Sequence, residues 1–174
     1  MKKQNAEPTT KIKTYLDMIA PSVIKFNTDH FICGKGPLEG YLRGLSKSLD
    51  LENQVILTGY RRDVADIYKT ADVFAFPSKR EGLGMAALEA MASGLPIITS
   101  NIHGILDYSI DGVTGYTCNP TDADGFALSI TKLIANSELR KEMGSFNKQE
   151  VKKYDISIVL DRMRKLYTDI KGKS

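Results

Sequence analysis

Short apolar runs alternate along this chain with longer stretches in which apolar positions recur every three or four residues. The short runs are Asp29–Cys33, Gln54–Thr58, Asp72–Phe76, Pro96–Thr99 and Gly115–Cys118. Several are apolar at consecutive positions, as in Val73-Phe74-Ala75-Phe76 and Pro96-Ile97-Ile98. A strand buried on both faces belongs in a parallel sheet covered by helices. Between the runs lie helical patterns at Lys11–Ala20, Leu38–Leu49, Val64–Thr70 and Met85–Ser93. This βαβα order predicts an α/β domain with a doubly wound, Rossmann-like parallel sheet. The last third changes character. Pro120-Thr121-Asp122 reads as an N-cap before a helix at Ala123–Ala135, Ser137-Glu138 opens a short helix ending at Gly144, and an amphipathic helix spans Ile156–Ile170. With no internal repeat or linker, residues 1–174 read as one domain with extra C-terminal helices.

Composition narrows the class. The chain has 174 residues, 42% hydrophobic and 26% charged, as in soluble globular proteins. No stretch approaches the roughly 20 apolar residues of a membrane span. Met1-Lys2-Lys3-Gln4-Asn5 is basic without an apolar segment behind it, which predicts a cytoplasmic protein touching the inner face of a membrane at most peripherally. The net charge of +3 is too small to point to nucleic acid. Cys33 and Cys118 lie in strand-like contexts and read as buried free thiols. No metal-ligand spacing is present among the two cysteines and two histidines.

In an open α/β sheet, ligands bind beyond the carboxyl ends of the strands, and three such ends carry chemistry. Cys33-Gly34-Lys35-Gly36-Pro37 lets backbone approach a ligand, although a tight turn explains it equally well. It is neither a dinucleotide fingerprint nor a Walker A loop. In Thr58-Gly59-Tyr60-Arg61-Arg62-Asp63, Tyr60 could lie along a base and an arginine could reach phosphate. Alternatively, Asp63 caps the next helix and the arginines are solvated. The third end runs from Phe76 to Pro96 and holds two carboxylates, Glu81 and Glu89. Glu89 sits about one turn into a helix of Ala, Met and Leu. A helix apolar nearly all round is buried, and a carboxylate there needs a polar partner, such as a ribose hydroxyl pair. The alternative is a Glu89 facing solvent on a surface helix. The helix opens at Gly82–Ala86, where free N–H groups and the positive dipole end suit a diphosphate.

This stretch resembles the signature of the retaining glycosyltransferases called glycosyl transferases group 1, or family 4, of GT-B fold. Their donor domain carries Pro-Ser, Glu-Gly-x-Gly, then Leu-Glu-Ala-Met-Ala-x-Gly-x-Pro-Ile/Val, and every element stands here between Pro77 and Ile97. The likeness extends to Gly34-Lys35-Gly36-Pro37, Val55–Tyr60, Ala71-Asp72-Val73-Phe74 and Asp111–Tyr116. It implies that the chain is the C-terminal, donor-binding half of a GT-B fold. Glu81 would hold donor-sugar hydroxyls as the catalytic carboxylate. The amides of Gly82, Leu83, Gly84 and Met85 would bind sugar hydroxyls and diphosphate, and Glu89 the ribose. Gly59, Tyr60 and Arg61 would lie against the base, with Gly34 and Lys79 completing the donor set. The donor would be a UDP- or GDP-linked sugar, and no cofactor or metal would be needed. The sugar would pass, with retention, to a glycan or lipid-linked acceptor. Ser100-Asn101-Ile102-His103-Gly104 looks most like the form found in enzymes of capsular or exopolysaccharide synthesis.

Two departures accompany the resemblance. The acceptor-binding N-terminal domain of the family is not in this sequence. The strand that opens the donor domain, with its following Gly-Arg-Leu turn and diphosphate-gripping lysine, is not recognisable before Pro8. The chain alone is therefore expected to be incomplete for catalysis. A non-catalytic nucleotide-sugar-binding module that needs a partner is one alternative. A sugar-nucleotide epimerase, which has the same two-domain architecture, is another.

Overall fold

The computed structural model describes residues 28–171. The helix expected at Lys11–Ala20 and the lysines near the N-terminus lie outside them. Among the described residues the strands are β1 (His30–Cys33), β2 (Val55–Gly59), β3 (Phe74–Phe76), β4 (Ile97–Ser100) and β5 (Gly115–Cys118). The α-helices among them are α1 (Glu39–Ser48), α2 (Val64–Thr70), α3 (Met85–Ala92), α4 (Ala123–Ala135), α5 (Ser137–Glu150) and α6 (Ile156–Lys171), with a 3-10 turn at Val151–Tyr154. All strand pairs are parallel, as the apolar runs predict. Among the described residues they pair in two ladders, β1–β2 and β3–β4–β5.

β4 shows how the core is divided. All four of its residues are buried, and successive side chains of a strand point to opposite faces. Ile97 joins a cluster with Tyr68 of α2, Ala87, Leu88, Ala90 and Met91 of α3, Ile105 and Tyr108. Ile98 joins the other cluster, with Phe126, Ile130 and Leu133 of α4 and Met143 of α5. Helices α2 and α3 therefore cover one face and α4 the other, which is the doubly wound arrangement.

The C-terminal helices differ in one respect from expectation. The Asp122 side chain caps α4 by accepting the Gly125 N–H at 2.9 Å, and Asn136 caps α5 by accepting that of Leu139 at 3.0 Å. But α5 does not stop at Gly144; it continues to Glu150. Gly144 serves close approach instead of termination, since a Cβ there would lie 2.1 Å from the Gly94 carbonyl oxygen. Three residues on, Asn147 is fully buried and donates to the carbonyls of Leu95 (2.7 Å) and Thr114 (2.8 Å), tying α5 to the segments that enter β4 and β5. Cys118 is buried as expected. Cys33, expected to be buried, is exposed at the end of β1.

Candidate donor-binding site

Helix α3 begins at Gly84, whose φ of 70° and ψ of 57° place it in the left-handed region open to glycine. A side chain there would also collide, its Cβ falling 2.6 Å from the Tyr108 hydroxyl. No side chain caps this helix. Gly84 accepts the N–H of Ala87 and Leu88, which leaves the N–H groups of Met85 and Ala86 without a partner among the described residues, beside the positive end of the helix dipole. Just ahead, the Gly82 N–H donates to Glu81 Oε1 at 3.1 Å, so the half-buried Glu81 is folded back onto its own loop. Lys79 and Arg80 beside it are exposed.

The residue that sequence reasoning missed is Tyr108. It is completely buried and donates its hydroxyl to the Leu83 carbonyl at 2.8 Å, which pins the glycine loop from below. Burial, with the Glu81 charge adding to it, pushes this phenol up to about 12. Nothing in its sequence context marks it, because an aromatic on an apolar face reads as ordinary core. Gly104 packs against the same loop. A Cβ on it would fall 1.6 Å from the Gly82 carbonyl oxygen.

Glu89 corrects one expectation. Helix α3 is not apolar and buried all round. Ala87, Leu88, Ala90 and Met91 are buried, whereas Met85, Glu89 and Ala92 form an exposed stripe. The Glu89 carboxylate thus faces open space, and burial does not demand a partner for it. Its carboxylate accepts no hydrogen bond within the described residues, yet its charge is felt by Tyr68, whose phenol is pushed up to about 12 mainly by burial. Tyr68 donates to the Ala86 carbonyl at 3.2 Å, steadying α3 from the α2 side.

The other two strand ends meet each other. The Gly34 N–H donates to the Gly59 carbonyl at 2.8 Å, joining the loops after β1 and β2. Tyr60 is 68% exposed. Asp63 does not cap α2. It accepts from Arg61 Nε at 2.8 Å instead, and this pair lowers the carboxyl below its usual range. A cavity of about 770 Å³ brings Gly34, Tyr60, Arg61 and Glu89 together. Glu81, Gly82, Leu83, Gly84, Gly59 and Lys79 do not line it, and Met85 lines a shallower depression on the other side of Glu89. Among the described residues no three His, Cys, Asp or Glu side chains gather to hold a metal ion. None of the described helices is long and apolar enough to cross a membrane.

Known proteins resemble this chain in sequence and fold. A family model described as "Glycosyl transferases group 1" matches residues 7–150. The N-acetyl-alpha-D-glucosaminyl L-malate synthase of Bacillus anthracis is 26% identical over 95% of this chain and 44% of its own length. The capsular polysaccharide biosynthesis glycosyltransferase CapM of Staphylococcus aureus is 32% identical over 65% of this chain and 30% of its own length. Among solved structures, S. aureus TarM, crystallised as a variant with Fondaparinux, alpha-GlcNAc-glycerol and UDP, superposes with a TM-score of 0.83. Its identity is 25%, covering 93% of this chain and 34% of TarM. The chain thus spans less than half the length of each of these relatives.

Proposed function

Because this chain belongs to the glycosyl transferases group 1 family, we propose that it binds the nucleotide part of a UDP- or GDP-linked sugar and forms the donor side of a sugar-transferring enzyme. The single observation that carries this is one helix face. The uncapped N-terminus of α3 and the exposed Glu89 lie along it, with Met85 and Glu89 one turn apart. In this reading the first-turn amides take the diphosphate, and Glu89 accepts from the ribose hydroxyls. Tyr60 and Arg61 reach the base from the loop after β2. Glu81 turns from the Gly82 N–H toward the sugar. Fixed amides stabilise the departing diphosphate without a metal.

The whole protein would pass the sugar, with retention, to a glycan or lipid-linked acceptor held by sequence outside this chain. The UDP in the TarM crystal supports a UDP-linked donor, and the capsular relative supports a role in surface polysaccharide synthesis, which would take place at the cytoplasmic side of a membrane. The alternative is a nucleotide-sugar-binding module that needs a partner and has no transfer of its own.

Titration calorimetry with UDP and GDP tests the site. Binding is expected, and Glu89→Gln should weaken it roughly tenfold, about 1.4 kcal/mol, as befits a hydrogen bond to a charged group. No heat at millimolar nucleotide would remove the reading. Transfer assays with the chain alone and with an acceptor half then separate enzyme from module, since positioning of the two substrates is worth roughly 7–11 kcal/mol of the barrier.

A further inference from the structure

The glycine loop ahead of α3 rests on residues 102–109, and that segment is held in turn by Tyr154. One end of it is fastened to β4 through the buried hydroxyls of Thr99 and Ser109, 2.7 Å apart. Gly104 lies against the Gly82 carbonyl, and Tyr108 reaches the Leu83 carbonyl. Tyr154, the last residue of the 3-10 turn between α5 and α6, meets the segment at two points. Its hydroxyl donates to the Asp107 carbonyl at 2.9 Å, and its ring stands edge-on to that of Tyr108 at 5.8 Å. The Asp107 carbonyl and the Tyr108 N–H belong to one peptide unit. That N–H donates to the Ile105 carbonyl at 3.2 Å, so the peptide is gripped at both of its polar ends.

We propose that Tyr154 is a positioning residue for the glycine loop, acting through the Asp107–Tyr108 peptide and the Tyr108 phenol. A ring that only filled space would gain nothing from a hydroxyl, and phenylalanine would serve as well. Tyr154 is half-buried, yet its hydroxyl is committed to a main-chain carbonyl. That bond fixes the peptide from which Tyr108 hangs. The Tyr108 hydroxyl in turn lies 2.8 Å from the Leu83 carbonyl and 3.4 Å from that of Gly84. The Gly84 carbonyl also takes the N–H groups of Ala87 and Leu88, which start α3. Two phenols in series thus set where the first turn of α3 begins.

The place of Tyr154 in the chain extends this link. α6 follows it directly, and Asp155 caps that helix by accepting the Ser157 N–H at 2.8 Å. No residue of α6 is buried, whereas Val151 and Tyr154 of the turn pack against the cluster on the α3 face. The side chain next to α6 is therefore also the one that supports the loop. That the supported loop receives a diphosphate rests on the donor reading above. That Tyr154 supports it does not, so the two are tested by separate measurements.

Hydrogen exchange followed residue by residue tests the support itself. Tyr154→Phe keeps the ring and removes the hydroxyl. It should speed exchange of the Ala87 and Leu88 amides by roughly threefold or more, while the amides of α4, on the other face of the sheet, keep their rates. In a Tyr108→Phe background the same change should do nothing further, because the link it acts through is already cut. Calorimetry with UDP is the second arm. Tyr154→Phe should bind about threefold more weakly than the parent chain, and Tyr154→Ala, which also loses the ring contact, more weakly still. If the parent chain takes up no UDP, the donor reading fails and the exchange result alone decides the support. The proposal is overturned if Tyr154→Phe leaves Ala87 and Leu88 unmoved, or speeds α3 and α4 equally, as a general loss of stability would. An equal effect with and without the Tyr108 hydroxyl overturns it as well. UDP affinity unchanged in both Tyr154 variants, in a chain that binds UDP, would remove Tyr154 from the donor site.

Discussion

The two ladders follow the same strand–helix order but have very different interiors. Around β4, every strand residue is buried, α3 and α4 press from opposite faces, and Asn147 locks a third helix to the strand entrances. Around β1 and β2, Phe31 is 48% exposed, Ile56, Tyr41 and Leu49 are also exposed, and among the described residues β1 pairs with β2 alone. A parallel strand gains its stability from helices on both faces and strands on both edges, and β4 has both. The candidate site straddles this divide. Helix α3, proposed to meet the diphosphate, belongs to the closed half, and the loops proposed to meet the base follow β1 and β2 of the open one.

One substitution made in both halves should give the widest contrast. Gly115→Ala puts a Cβ 1.8 Å from the Ile97 carbonyl oxygen at a φ of 147°, and should destabilise by about 3 kcal/mol or more. Gly34→Ala meets no atom within 4 Å at a φ of 130°, so only backbone strain, roughly 1–2 kcal/mol, should appear. Urea unfolding of both variants measures this, and equal effects would mean that the open half is as tightly packed as the closed one. Next in size is Asn147→Ala, which deprives two buried carbonyls of their donor and should cost about 2–3 kcal/mol by the same measurement.

Alkali should strike the closed half next. Tyr68 and Tyr108 both belong to the cluster on the α3 face, and both phenols are pushed up to about 12 by burial. The unfolded chain releases these protons near the ordinary value of 10, before the native state does. Their stabilisation is therefore whole below pH 10 and declines as pH rises from about 10 toward 12. Absorbance titration near 295 nm should show a late-ionising group of tyrosines that merges with the rest on unfolding. The smallest effect is that of Tyr108→Phe, which should lower stability by about 1 kcal/mol. Its value lies in the comparison it allows. Calorimetry should show UDP binding weakened although Tyr108 has no place in the cavity, and unchanged affinity would mean that the glycine loop needs no support from below.

Much of this was legible in the chain. The apolar runs marked all five strands to within a residue or two, since a run buried on both faces has few other homes. The loop from Pro77 to Gly84 announced itself through glycines beside charged residues. What stayed hidden were relations between distant residues. Gly144 has the look of a helix stop, and only the position of Gly94 reveals that it is a contact. Glu89 was expected in a buried helix because Ala and Met carry no facing information, yet the stripe from Met85 through Glu89 to Ala92 is exposed. Cys33 sits in a strand pattern indistinguishable from a buried one, and its exposure is a property of the fold that no local pattern records. Tyr108 needed the fold to place it 25 residues away from the loop it holds.

That tyrosine has an optical consequence. The sequence contains eight tyrosines and no tryptophan, so the near-ultraviolet spectrum of the protein is essentially a tyrosine spectrum. Tyr41, Tyr60 and Tyr167 are exposed, and such rings average their surroundings. Tyr108 is held rigidly, its hydroxyl on Leu83 and its ring edge-on to Tyr154 at 5.8 Å and 79°, the kind of fixed asymmetric setting that generates circular dichroism. Any ligand that grips the amides of the glycine loop must pull on the very peptide whose carbonyl holds the phenol. The protein is in this sense fitted with its own chromophore, able to signal an occupied loop by colourless light alone, without label or coupled assay.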